Sequence, residues 1–249
     1  IILQLHNDFL NSETPGGEDI VSKCYKIVAN SEYIKKRICT ISNVSPEKVY
    51  VNMNCLDNSS FEFPSEQQKN QIITRFNIDI HKKNIIYVGR IAKVKGVKEL
   101  LLALKNIKDN DKWHLLIVGG KWFSSNYKDK YYRELSSISK DFKEKISFLG
   151  YVKHEDIKTL YAISSVAVVP SIWEEPAGRV VLEAEAMKIP VVAANSGGIP
   201  EYVNEKSAII IERDKLFIDN LSKGIEELIN DTDKAALMGI EGLKYAQLF

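Results

Sequence analysis

Cysteine is scarce in this chain. Cys24, Cys39 and Cys55 have no spacing that would hold a metal ion. A small, odd count fits reduced thiols and a cytoplasmic setting. A surplus of either charge is also missing, since 34 basic against 33 acidic side chains leave a net charge of +1. There is no basic field of the kind that holds nucleic acid, so nucleic acid is not expected as a partner. No apolar run approaches the ~20 residues of a membrane span, and no secretory leader pattern is visible. No strand candidate is followed by Gly-x-Gly-x-x-Gly and a later ribose acid, which counts against a dinucleotide oxidoreductase. What is present, 45% hydrophobic and 27% charged over 249 residues, suits a globular protein of one large or two small domains.

From residue 84 onward, short apolar runs alternate with amphipathic ones. Residues 84–88 (NIIYV), 114–118 (HLLIV), 146–149, 166–170 (VAVVP), 191–194 and 208–211 predict strands. Helices are predicted over 96–107, 155–164, 179–187, 216–230 and 233–249, with one or two more between 121 and 145. In that last segment Trp122, Phe123 and several tyrosines offer a surface for a sugar or a partner. Leu228 and Leu237 are expected in the core. The alternation predicts an α/β fold with a doubly wound parallel sheet, Rossmann-like. The first part of the chain holds less: strands at 1–5, 25–29 and 49–53, a helix from the Ser31 cap to about 39, and a helix over 66–76. Residues 11–17 read as a mobile loop, and 58–65, around Phe61, as a linker. Three strands cannot bury a full core alone, so 1–64 are expected to be a partial N-terminal domain with its linker, and 65–249 a complete C-terminal domain. A chain that opens on IILQLH, like the middle of a strand, is expected to be a piece of a longer protein, clipped also at its end. Lys35, Lys36 and Arg37 fit a helix C-terminus, with a peripheral membrane contact as the other reading.

The chemistry concentrates in residues 173–202, WEEPAGRVVLEAEAMKIPVVAANSGGIPEY. Glu175 and Glu183 stand eight apart across a turn, Pro176-Ala177-Gly178, and a helix that opens at Arg179. A Pro and a Gly ahead of a helix leave backbone N–H groups free for an anion. The Ser196-Gly197-Gly198 turn, with a second helix start expected after it, offers N–H groups that could hold a phosphate without side chains. Upstream, Gly89-Arg90 ends one strand, and Lys95-Gly96 follows before a helix. Two fixed cations at that place suit a diphosphate, Arg as a planar fork and Lys as a point charge. Gly119-Gly120 turns at the same crevice end and would allow a nucleotide close to the backbone. His6 follows the first strand and fits either a turn histidine or a crevice residue.

These segments resemble the donor-site signature of the retaining glycosyltransferases of family 4, which have the GT-B fold. The resemblance rests on Glu175-Pro176-Ala177-Gly178, Glu183-Ala184, Pro190-Val191-Val192-Ala193, Gly197-Gly198-Ile199-Pro200-Glu201 and the pair Arg90 and Lys95. It implies catalytic roles for Arg90, Lys95, Glu175 and His6. Arg90 and Lys95 would take the diphosphate, and Glu175 and His6 the transferred sugar. Glu183 would hold the ribose, with Gly89, Gly119, Ala177, Gly178, Arg179, Gly197 and Gly198 around the donor. The implied activity is hexosyl transfer from a nucleotide-sugar, a UDP-sugar first, to a glycan or lipid-linked acceptor of the lipopolysaccharide or capsule kind. No cofactor or metal is implied, and the setting would be cytoplasmic or at the inner membrane face. An inactive nucleotide-sugar-binding module and a nucleotide-sugar epimerase are the other readings. Three positions depart from the pattern: Ala177 replaces Phe, Glu185 replaces Met, and Lys188 replaces the Gly of a left-handed helix end, at about 1 kcal/mol.

Overall fold

A computed structural model describes residues 1–7, 14–57, 62–107, 112–120, 130–142 and 144–249. The loop at 11–17, the linker at 58–65 and the aromatic stretch with Trp122 and Phe123 fall partly or wholly outside them.

The first strands are β1 (Ile2–Leu5), β2 (Lys26–Ala29) and β3 (Val49–Val51). They pair in parallel in that order, with α1 (Gly17–Lys23) and α2 (Glu32–Ile41) between them. α2 starts where the sequence places it, because the Ser31 side chain accepts a hydrogen bond from the Ile34 N–H at 3.1 Å. Ile27, Ile34, Ile38 and Val49 form the small core of this unit. α3 (Glu66–Phe76) follows, opened by a capping box between Ser65 and Gln68.

The larger unit runs β4 (Lys83–Val88), α4 (Val97–Lys105), β5 (Trp113–Val118), α5 (Lys130–Ser139), β6 (Ile146–Gly150), α6 (His154–Ala162) and β7 (Val166–Val169). It continues through α7 (Arg179–Ala186), β8 (Val191–Ala194), β9 (Ala208–Ile211), α8 (Phe217–Asn230) and α9 (Thr232–Ala246). Its six strands are all parallel, in the order β6-β5-β4-β7-β8-β9. Successive side chains of a strand point to opposite faces, and here both faces are covered. Ile85, Leu115 and Ile117 pack with Leu100 and Leu104 of α4 and with Leu221 and Ile225 of α8. Ile86, Leu116 and Val118 pack with Leu160 of α6 and with Val181 and Leu182 of α7. This is the GT-B type of α/β architecture expected from the sequence. The strand order reverses between β4 and β7, where a doubly wound sheet opens its ligand crevice.

Two details correct the sequence reading. Leu228 is buried, but Leu237 is 66% exposed. α9 buries instead a stripe of small residues, Ala235, Gly239, Gly242 and Ala246, with Met238. The helix start expected after the glycine turn is only a short 3-10 turn, Ile199–Tyr202. Among the described residues, no helix is long and apolar enough to cross a membrane.

Candidate functional site

A cavity of about 440 Å³ opens at the β4/β7 switch point. Arg90, Lys95, Glu175, Ala177, Arg179 and Glu183 all line it. Residues more than ninety positions apart meet there because β4 and β7 are neighbours, and each strand hands its loop to the same end of the sheet.

Glu175 is the most heavily tied of these groups. Only 8% of it is exposed, and Lys95 Nζ lies 2.6 and 2.8 Å from its two carboxylate oxygens. The Ser171 hydroxyl donates to the same carboxylate. Lys95 also sits 5.5 Å from the centre of the Trp173 ring, a cation over an aromatic face. Lys95 and Glu175, read from the sequence as separate ligands, are thus each other's partner. Arg90 is half-buried, and its guanidinium makes no ion pair with a described residue.

Glu183 lies one turn into α7. It is 5% exposed, and burial pushes its carboxyl up to about 7, against the pull of Arg179, whose Nε is 3.3 Å away. The Arg179 side chain is itself mostly exposed. Tyr87 is buried beneath the cavity and donates to the Arg90 carbonyl at 2.7 Å, which holds the loop after β4.

Gly89 and Gly119 border the site, whereas the Gly197-Gly198 turn serves differently from the expectation. Gly89 lines the cavity, and Gly119 lines an adjoining apolar recess of about 150 Å³ with Val118, Tyr151, Val152 and Ile157. The N–H groups of Gly197 and Gly198 are not available to a phosphate. Gly197 donates to Glu174 Oε2 at 2.7 Å and Gly198 to the Glu175 carbonyl at 2.7 Å. A side chain at Gly197 (φ 52°) would meet the Glu175 carbonyl at 2.1 Å, so this turn braces the glutamate loop from behind. Gly178 packs against Tyr202 in the same way. His6 is exposed at the end of β1, its carbonyl 3.5 Å from Asn30 Nδ2, and it does not line the cavity.

Sequence reasoning missed His154, which opens α6 and lines the cavity, and Ser171, which holds Glu175. The signal for His154 was its place just after a strand's carboxyl end, the same rule that drew attention to His6. Among the described residues, no three His, Cys, Asp or Glu side chains gather to hold a metal ion. Of the two Asp-x-Asp triplets, Asp231-Thr232-Asp233 starts α9 and does not line the cavity, and 109–111 lies outside the described residues.

A doubly wound parallel sheet with a cationic and acidic crevice at its switch point defines a Rossmann-like α/β protein, with its crevice where such sheets take their ligands. Residues 68–245, most of the chain, match the family model described as glycosyl transferases group 1, and the chain belongs to that family. It is 29% identical over 245 residues to spore coat protein SA of Bacillus subtilis, covering 96% of this chain and 65% of that protein. A glycosyltransferase from Rickettsia africae superposes with a TM-score of 0.87 at 22% identity, over 99% of this chain and 65% of that one. The Anabaena protein Alr3699/HepE, in complex with UDP and glucose, superposes with a TM-score of 0.81 at 21% identity, over 99% and 66%. The chain therefore spans about two thirds of the length of these proteins.

Proposed function

We propose that this chain is the donor-binding part of a retaining hexosyltransferase. It would take a sugar from a nucleotide-sugar, a UDP-sugar first, and deliver it without a metal to a glycan or lipid-linked acceptor. The observation that carries this reading is the convergence of Arg90, Lys95, Glu175 and Glu183 on one cavity at the switch point. The structures of the Anabaena protein in complex with UDP and with UDP-glucose support the choice of UDP.

In this reading the base enters the apolar recess beside Val152, and the ribose hydroxyls donate to Glu183. The diphosphate faces Arg90, Lys95 and the open start of α7. The sugar lies against Glu175 and Ala177, where the small side chain leaves room. Transfer breaks the bond between the anomeric carbon and the diphosphate oxygen and forms one to the acceptor oxygen, whose proton passes to the departing diphosphate. Negative charge grows on the departing diphosphate. Lys95, held beside the cavity by Glu175, and the half-buried Arg90 stabilise that charge electrostatically. Lys95 must be shared with Glu175 as the phosphate arrives, which ties sugar placement to phosphate placement. Residues 1–64 would form the part of the acceptor-side domain that faces this cavity.

Calorimetric titration with UDP, GDP, ADP and NAD, with and without EDTA, tests the reading. UDP or GDP binding that ignores EDTA is expected. NAD binding, or no binding by a folded sample, overturns it, and in a separate incubation with UDP-glucose an epimerised nucleotide-sugar would mark an epimerase instead. Lys95→Ala is expected to weaken UDP about tenfold and uridine little, because a hydrogen bond to a charged group contributes about 1.5–3 kcal/mol. Equal losses for both would remove Lys95 from the phosphate.

A further inference from the structure

The stretch that carries Glu175 is not held by its own unit alone. The Pro176 carbonyl accepts a hydrogen bond from the Ser31 hydroxyl at 2.6 Å, and Ser31 is fully buried at the start of α2. Next to it, the Glu201 carboxylate caps the same helix: Oε2 accepts from the Glu32 N–H at 2.6 Å and Oε1 from the Tyr33 N–H at 2.7 Å. A carboxylate on two free N–H groups at a helix start joins two charge-assisted bonds to a favourable helix dipole. Tyr202 completes the contact. Its hydroxyl donates to the Asn30 carbonyl at 2.6 Å and accepts from the Asn54 N–H at 2.9 Å.

The path from Glu201 to the cavity is short and made of hydrogen bonds. The Glu201 N–H donates to the Gly198 carbonyl, and the Gly198 N–H to the Glu175 carbonyl. Gly198 fits between Pro176 and Ser31 with no room to spare, since a Cβ there would lie 2.5 Å from the Pro176 carbonyl and 3.0 Å from Ser31 Cβ. Neither Glu201 nor Ser31 lines the cavity.

We propose that Glu201 and Ser31 are positioning residues: their clasp on the start of α2 sets the Glu175 loop, so the placement of the donor sugar depends on the seating of the first unit. The consequence for the sugar rests on the donor-site reading above, while the coupling between clasp and loop does not. The clasp bears most directly on the loop of Glu175, while Glu183 lies further along α7 and Arg90 stands on a separate element. Its loss should therefore weaken recognition of the sugar more than that of the nucleotide.

Hydrogen–deuterium exchange and calorimetry on the whole chain test this with Glu201→Ala, Glu201→Gln and Ser31→Ala, each checked for folding by thermal melting. Glu201→Ala is expected to speed exchange at 32–34 and also in segment 174–182. It should weaken UDP-glucose about fivefold while changing UDP less than about twofold, the size of one lost charged contact. Glu201→Gln, which keeps one accepting oxygen, should fall between. Faster exchange at 32–34 with segment 174–182 unchanged would overturn the proposal, as would equal losses for UDP and UDP-glucose. If wild-type protein binds neither ligand, the donor-site reading has failed, and exchange in 174–182 still decides the clasp. Should Glu201→Ala not fold, Ser31→Ala carries the same comparison through the Pro176 carbonyl.

Discussion

α7 carries two buried glutamates two residues apart, on opposite sides of the helix. Glu183 faces the cavity, with Arg179 beside it and open space in front. Glu185 faces α9 and is 0% exposed, and among the described residues its hydrogen-bond partner is the Ser207 hydroxyl, 2.5 Å from Oε1. Its Oε2 has no hydrogen-bond partner among the described residues, and the Cγ of its side chain lies against Gly242 of α9. Burial lifts both carboxyls, to about 7 for Glu183 and about 8 for Glu185. The difference lies in what the position offers in return. At Glu183 a nearby cation and a ligand-sized space make a charged acceptor useful. At Glu185 nothing does, so the side chain is stored protonated and destabilises the fold when ionised.

The largest expected effect breaks that comparison on the side of Glu185. Its folded pKa is raised from the ordinary 4.5 to about 8. The stability it permits is fully present below about pH 4.5 and is lost as pH rises through 8. Glu185→Met keeps the volume and removes the carboxyl, and Ser207 retains bonds to Asn204. Stability should rise by roughly 3 kcal/mol at pH 8 and by much less at pH 5. Denaturant melts at the two pH values check this, and an equal gain at both would show that the carboxyl is not titrating in the fold. Tyr245 also faces it, and its hydroxyl is pushed up by burial first and then by the nearby Glu185 carboxylate.

The second effect works on Glu183. Glu183→Ala should leave the melting curve close to wild type and weaken UDP at least about tenfold, since a charged hydrogen bond is worth about 1.5–3 kcal/mol. Glu183→Gln, which keeps an acceptor, should lose less. A folded Glu183→Ala protein with unchanged UDP affinity would make Glu183 a second Glu185, buried without a ligand.

That contrast also marks how far the sequence could be read. The strands were legible because a parallel sheet covered on both faces needs unbroken apolar runs such as 84–88 and 114–118, and the helix start at Ser31 because a cap is local chemistry. The grouping of Arg90, Lys95, Glu175 and Glu183 was implied by the resemblance to a family signature, since strand ends and spacing alone leave scattered surface charges as an equal reading. The burial of Glu185 did not. Val181 to Ala186 are all buried, so α7 has no polar face from which a periodic pattern could be read. The Lys95–Glu175 pair, the occupied N–H groups of Gly197 and Gly198, and the exposed Leu237 are facts of tertiary packing. They depend on which loop approaches which, and spacing along the chain does not record that.

The smallest effect concerns the end of the same helix. Lys188 stands where a glycine was expected, and its φ of 58° puts it in the left-handed region. The conformation is imposed from two sides. The Ile189 N–H bonds back to the Ala184 carbonyl at 3.1 Å, closing the helix. α9 presses on the Lys188 carbonyl so closely that a Cβ on Gly239 would lie 2.0 Å from it. The backbone therefore cannot relax to suit the side chain, and an L residue bears the steric penalty there. Lys188→Gly should stabilise the protein by about 0.5–1 kcal/mol, with part of the relief offset by a more flexible unfolded chain and by the lost contact of Lys188 Nζ with the Phe63 ring, 4.9 Å from its centre. Gly239→Ala should do the opposite, because the new methyl group meets backbone that cannot move. UDP affinity should not change with Lys188→Gly, since Lys188 does not line the cavity. A stability gain together with altered UDP binding would mean that strain at this helix end is transmitted along α7 to Glu183, joining the two faces that now stand apart.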